Sequence, residues 1–216
     1  MLECNSTERL LQLATVVLTD PIPYPPYFDP IPPAYLFSET KDNERSVFQA
    51  GKNLLRKGVV ERLLVVRDEK ADDSGYPGAA NWISGLKELG IDSWFIDTIC
   101  CKESLNTYTE SLALVRFATA KHWKCLVVIA PPFHQLRAFV SVVSAVRKLD
   151  AKIRVFNQVG DWLPWNKTVF HSQGILRRTR LELIAEEMRL IKRYTRKGDL
   201  LSADEVLKYL AWRNKR

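Results

Sequence analysis

Cysteine is scarce and poorly spaced for chemistry. The four present are Cys4, Cys100, Cys101 and Cys125, and none forms a C-x-x-C pair. Adjacent cysteines suit neither an ordinary disulfide nor a zinc site. Cys125 lies in an apolar run and reads as a core thiol. Reduced thiols in a cytoplasmic protein are the simplest account. Long hydrophobic runs are also missing, since none approaches the roughly 18 residues of a membrane span. The start, Met-Leu-Glu-Cys-Asn, has no basic n-region and no long apolar h-region, so no signal peptide is expected. Without secretion the sequons at Asn5 and Asn166 carry no meaning. Histidine is limited to His122, His134 and His171, which lack ligand-like spacing, so no metal is expected.

What remains is an ordinary globular composition. At 216 residues the chain is long enough for one α/β domain spanning 1–216. Such a domain buries roughly 70–75% of its unfolded surface and needs no staple. The net charge of +7 is uneven: 17 Lys/Arg and 8 Asp/Glu lie from Arg147 onward, a surplus of 9, which leaves −2 for the rest. Acidic residues interspersed in that tail favour a solvated helix face over a nucleic-acid surface, so nucleic acid is not an expected partner.

Apolar runs of strand length recur at Ala14–Leu18, Arg62–Val66, Trp94–Thr98, Cys125–Ala130 and Ile153–Phe156. They are rich in Val, Ile and Leu and alternate little, as strands buried on both faces do. Helical patterns separate them at about 42–57, 77–89, 106–121 and 133–149. The pattern predicts an α/β three-layer sandwich, a mostly parallel sheet of about five strands covered on both faces, with C-terminal helices. A further helix is expected at about 175–194, and Ser202 with Glu205 forms a capping box for a short last one. Two connections are long. The first, from Thr19 to about Thr40, contains DPIPYPPYFDPIPPAY, with seven prolines and four aromatics (Tyr24, Tyr27, Phe28 and Tyr35). It reads as a lid or binding loop, with a proline-rich ligand for another domain as the alternative. The second, Asn157 to Gly174, carries Trp162, Trp165, Phe170 and His171.

Ligands of open α/β sheets bind beyond the carboxyl ends of the strands. Two such loops carry surplus polar groups. In ESLNTYTES, Thr107 and Glu110 have capping-box spacing, and Asn106 or Ser104 can serve as the cap instead. Capping does not need all four. In PPFHQLRAF, Phe133, Leu136, Val140 and Val143 form the core stripe, while His134 and Arg137 share another. A cation at a helix start opposes the dipole, so Arg137 needs a carboxylate or a bound anion as partner. His134 is the candidate general acid or base.

These residues resemble the YdcF/SanA/ElyC-like family of unknown-function domains, which shows S-x-N/S-T near a helix start and later a His and an Arg-Ala pair. Arg45, in NERSVFQAGKNLLRKG, stands where that family has an Arg in its first helix. The resemblance covers about 15–150 and implies a Rossmann-like α/β fold with a family-like core of 15–157 and 175–216 as a helical extension. It implies a pocket at Arg45, Ser104, Asn106, Thr107, His134 and Arg137, with S-adenosylmethionine as a suggested ligand; Glu110, beside them, is a further ligand-binding candidate, although it stands where the family has another residue. The chain departs from the pattern at Thr19-Asp20-Pro21 and Arg67-Asp68-Glu69, where the family has glycine-rich turns. Two readings follow. One is a domain that binds a small polar, anionic metabolite and performs hydrolysis or group transfer on it, S-adenosylmethionine or a nucleotide-like ligand included. The other is a non-catalytic scaffold that binds a protein or an anionic polymer through its aromatic loops and basic C-terminal helix.

Overall fold

The computed structural model describes residues 6–20, 22, 30–68, 75–171 and 174–215. Five parallel strands form the sheet: β1 (Ala34–Leu36), β2 (Leu63–Asp68), β3 (Ile96–Cys101), β4 (Cys125–Ala130) and β5 (Arg154–Val159). Their order is β3-β2-β1-β4-β5, the doubly wound arrangement in which the chain runs outward from β1 in one direction and then restarts beside it. Helices α2 (Glu44–Arg56), α3 (Ala79–Glu88), α4 (Thr107–Ala120) and α5 (Gln135–Lys148) connect successive strands. This is the expected Rossmann-like α/β layout.

The first expected strand is a correction. Ala14–Leu18 lies inside helix α1 (Ser6–Thr19). Its run of Thr and Val suggests a strand, but Leu10, Leu13 and Val17 recur at helical spacing and are the residues buried. The first strand is Ala34–Leu36, within the proline-rich stretch expected as one loop. Pro33 precedes it, so the strand loses no ladder donor: Ala34 N–H bonds Arg62 O at 2.9 Å, and Pro33 O accepts from Val127 N–H at 3.0 Å. Tyr35, one of the four aromatics expected in that loop, is fully buried in the strand. Tyr24, Tyr27 and Phe28 lie outside the described residues.

Two apolar layers enclose the sheet. One face packs Leu36, Leu63, Val65 and Ile129 against α2 and α3. The other packs Leu64, Val66, Ile99, Val128 and Val155 against α4 and α5. The region expected as a helix from 175 begins instead with an antiparallel hairpin, β6 (Thr168–His171) and β7 (Leu176–Thr179). Only then comes α6 (Arg180–Lys197), closed by Gly198 at φ 82°, and α7 (Ala203–Arg213), capped by Ser202 and Glu205 as expected. Helices α1, α6 and α7 cover α5: Leu13, Ile191, Leu200, Val206 and Leu210 join the same core as Phe139 and Val143. Tyr209 fixes α7 to β5, its hydroxyl donating to Ile153 O and accepting from Val155 N–H, both at 2.8 Å. Asp20 pairs with the buried Arg213.

Candidate functional site

The strand order reverses between β1 and β4, and the residues that leave those two strands line a cavity of about 380 Å³. Strand β1 delivers Ser38, Glu39 and Thr40. The turn after β4 delivers His134, whose N–H and that of Gln135 bond back to Pro131 O at 2.9 and 2.8 Å. Helix α4 and its N-cap deliver Thr107, Glu110 and Asn106, α5 delivers Arg137, and the β6–β7 hairpin closes one side with His171 and Leu176.

The polar groups form one continuous hydrogen-bonded chain. Glu39 Oε1 lies 2.6 Å from His134 Nδ1, and His134 Nε2 lies 3.2 Å from Thr107 Oγ1. Arg137 donates through Nη1 to Thr107 Oγ1 at 2.6 Å. It also grips Glu187 of α6 with two donors, Nε to Oε2 at 2.5 Å and Nη2 to Oε1 at 3.0 Å. The chain ends at His171, whose Nε2 lies 2.7 Å from Glu187 Oε1. Every member is buried, Thr107 and Arg137 being the most accessible at 8% and 9%.

Burial sets the protonation of this chain. It raises the Glu39 carboxyl well above its ordinary range, and the Glu187 charge adds to that. It lowers the His134 imidazole, and the Arg137 charge lowers it further. Glu187 behaves in the opposite way. Burial alone would raise it, but Arg137, His134 and His171 together hold it below the usual carboxylate range. Burial likewise works against the Arg137 charge, and the Glu187 pair outweighs it, so the guanidinium stays charged.

Glu110 forms a second buried group beside this chain. It accepts from the Tyr35 hydroxyl at 2.5 Å and from the Ser38 N–H and hydroxyl, each at 2.8 Å. Burial pushes its carboxyl up to about 7 against those three hydrogen bonds. This corrects its expected pairing with Thr107 in a capping box. The box at α4 is Asn106 with Thr109: Asn106 Oδ1 accepts from Tyr108 N–H at 3.0 Å and Thr109 N–H at 3.1 Å, and Thr109 Oγ1 accepts from Asn106 N–H at 3.1 Å.

Of the expected pocket residues, Thr107, Glu110, His134 and Arg137 come together, with Asn106 at the rim. Ser104 and Arg45 do not. Ser104 is exposed and contributes its carbonyl to the α4 cap, accepting from Thr109 Oγ1 at 2.8 Å. Arg45 is exposed on α2 and does not line the cavity. The buried guanidinium near that helix start is Arg180, which binds Asn43 Oδ1 at 2.9 Å, Asp42 O at 2.6 Å and Pro164 O at 2.9 Å. Four members of these hydrogen-bonded groups have no local signature in the sequence: Ser38, Glu39, His171 and Glu187. The requirement that Arg137 find an anion points toward one of them, because the carboxylate it needs is Glu187.

No family model matches the chain, and no curated protein matches it in sequence. Among solved structures, that of pantoate-beta-alanine (pantothenate synthetase) from Thermus thermophilus superposes over 93% of this chain and 80% of that one, with a TM-score of 0.39 and 11% identity. Among the described residues no helix is long and apolar enough to cross a membrane.

Proposed function

We propose that the cavity between β1 and β4 binds a small polar molecule and that His134 moves a proton on it, in hydrolysis or group transfer. The observation that carries this reading is the chain Glu39–His134–Thr107, buried at the switch point of a doubly wound sheet. Arg137 donates to Thr107 Oγ1, which leaves the threonine proton to point at Nε2, while Nδ1–H is directed at Glu39. A carboxyl group, an imidazole and a hydroxyl in that order are the parts of an activated nucleophile, with Glu39 Oε1 orienting the ring. His134 takes the proton of Thr107, or of a ligand hydroxyl seated against it, and Arg137 Nη1 stabilises the charge that develops on the oxygen.

The same geometry favours an uncharged ligand over the anion expected from the sequence. Arg137 spends all three of its nitrogens on Glu187 and Thr107, so it is not a free anion clamp. Glu187 is held ionised and cancels the Arg137 charge, while burial favours the neutral form of Glu39 and pushes the Glu110 carboxyl up to about 7, so no net positive charge faces the cavity. An uncharged polar ligand, such as a sugar, a nucleoside, an amide or an ester, fits this field better than a phosphate or carboxylate. The resemblance to the YdcF/SanA/ElyC-like family keeps S-adenosylmethionine, a net cation, in the same range.

A thermal-shift screen tests the proposal, with those neutral classes, S-adenosylmethionine, phosphates and carboxylates as the panel. A ligand at a hundred times its dissociation constant adds about 2.7 kcal/mol. The expected result is a neutral or cationic hit that is lost in Thr107→Val and His134→Ala and kept in Thr107→Ser. Hits confined to anions, or hits indifferent to all three variants, refute it.

A further inference from the structure

A second cleft lies at the opposite end of the sheet, where β4 and β5 begin. Its volume is about 370 Å³, within the range of small-ligand sites. Trp123 and Lys124 precede β4, while Lys152 and Arg154 come from the start of β5. The parallel register that sets Cys125 against Arg154, with Arg154 N–H on Lys124 O at 2.8 Å, brings the cations together. Trp212, on the last turn of α7, forms another wall, and the opposite one is the rigid run Pro30–Pro33. No acidic side chain lines this cleft among the described residues. Asp150 and Glu205 belong to the adjoining hollow beyond Trp212.

The three cations have little to do within the fold. Lys124 and Lys152 are exposed, and neither has an ion-pair partner among the described residues. Arg154 gives Nη2 to Lys215 O at 3.0 Å, and its other two nitrogens have no protein partner among the described residues. The rings, by contrast, are held. Trp123 meets the Phe117 ring at 5.6 Å and Trp212 the Tyr209 ring at 5.4 Å, yet Trp212 is 42% exposed. A fixed indole face beside unpaired cations is the combination that takes a flat aromatic base on the ring and phosphate on the charges.

We propose that this cleft binds a nucleoside phosphate, its base against Trp212 and its phosphate on Lys124, Lys152 and Arg154. The site is separate from the cavity at the carboxyl ends and does not depend on the reading given to that cavity.

Fluorescence anisotropy of the full chain tests it with two probes, a mant-labelled AMP and a fluorescein-labelled dT12 strand. Expected is binding that unlabelled AMP displaces and that equal concentrations of inorganic phosphate or adenosine do not. Trp212→Leu and the double variant Lys124→Glu/Lys152→Glu should each weaken it roughly tenfold or more, with unchanged melting temperature. His134→Ala should leave it intact, which separates this cleft from the other cavity. A strand that binds far more tightly than AMP, with the same losses, identifies the nucleotide as part of a single strand. Equal affinity identifies a free nucleotide. Absence of binding by both probes, competition by phosphate as strong as by AMP, retention in Trp212→Leu, or loss in His134→Ala overturns the proposal.

Discussion

Glu110 shows how a single residue divides between capping and chemistry. Its spacing from Thr107 fits a capping box, but Asn is at least as good an N-cap as Thr, and Asn106 with Thr109 takes that task. Glu110 is thereby released into the interior, where it meets Tyr35 and Ser38. Its carboxyl, pushed up to about 7, titrates in the folded protein well above the ordinary value of 4.5. The sign follows from proton uptake. Below about 4.5 both states hold the proton. Between about 4.5 and about 7 the unfolded chain releases it and the fold does not, so the contribution of this group to stability falls as pH rises. Glu110→Gln removes that dependence. In urea titrations the variant should gain on the wild type by up to about 3 kcal/mol between pH 4.5 and pH 8. A difference that stays constant over that range would show that Glu110 titrates normally. Residues of this kind were half legible. The surplus of polar groups near Thr107 and His134 was visible in the sequence. The partners that give them roles, Glu39 and Glu187, were not, because contact across 95 and 50 residues leaves no local spacing.

At the scale of elements, the helices α2 to α5 and the strands β2 to β5 were readable to within a few residues, because length and apolar pattern agree there. They disagree at the start of the chain. The central strand β1 has only three residues and follows a run of prolines, while the more strand-like run of Val and Leu is a helix that needs one buried stripe. What fixes β1 is its place between β2 and β4, which is a property of the sheet. The ends of the strands are tied as tightly as their middles. Gly160, just past β5, donates its N–H to Ala130 O at 2.8 Å, and Asp161 closes on Ser46 by two bonds, N–H to Ser46 O at 2.9 Å and carbonyl from Ser46 Oγ at 2.6 Å. A Cβ on Gly160 would collide with Ser46 Oγ and lie 2.8 Å from Ala130 O. Gly160→Ala should therefore cost about 1–3 kcal/mol in urea unfolding. Adding Ser46→Ala should recover only part of the loss, since the Ala130 carbonyl is backbone and cannot rotate away. Full recovery would locate the strain in the serine alone.

For the whole molecule, the division into a family-like core of 15–157 and an extension of 175–216 describes the sequence better than the packing. Helices α6 and α7 bury Leu183, Ile191, Val206 and Leu210, and α6 supplies Glu187 to the buried guanidinium of Arg137. The site is thus completed by the segment that looked most like an appendage. Truncation at Gly174 should leave a chain that is aggregated or molten, because it strips the outer face of α5 and abandons a charge in the interior. The electrostatic part can be separated in the full chain. Glu187→Ala should cost about 3–5 kcal/mol, the usual loss when one partner of a buried pair is removed. Arg137→Leu together with Glu187→Leu should restore most of that stability while abolishing any activity that needs Thr107 held by Arg137. Dispersed amide spectra from a well-folded 1–174 fragment would contradict this account. They would mean that the core stands alone and that α6 was added to it for the site. Failure of the fragment combined with recovery in the double leucine variant would mean that apolar burial holds α6 in place, and that the Arg137–Glu187 pair serves the chemistry of the cavity.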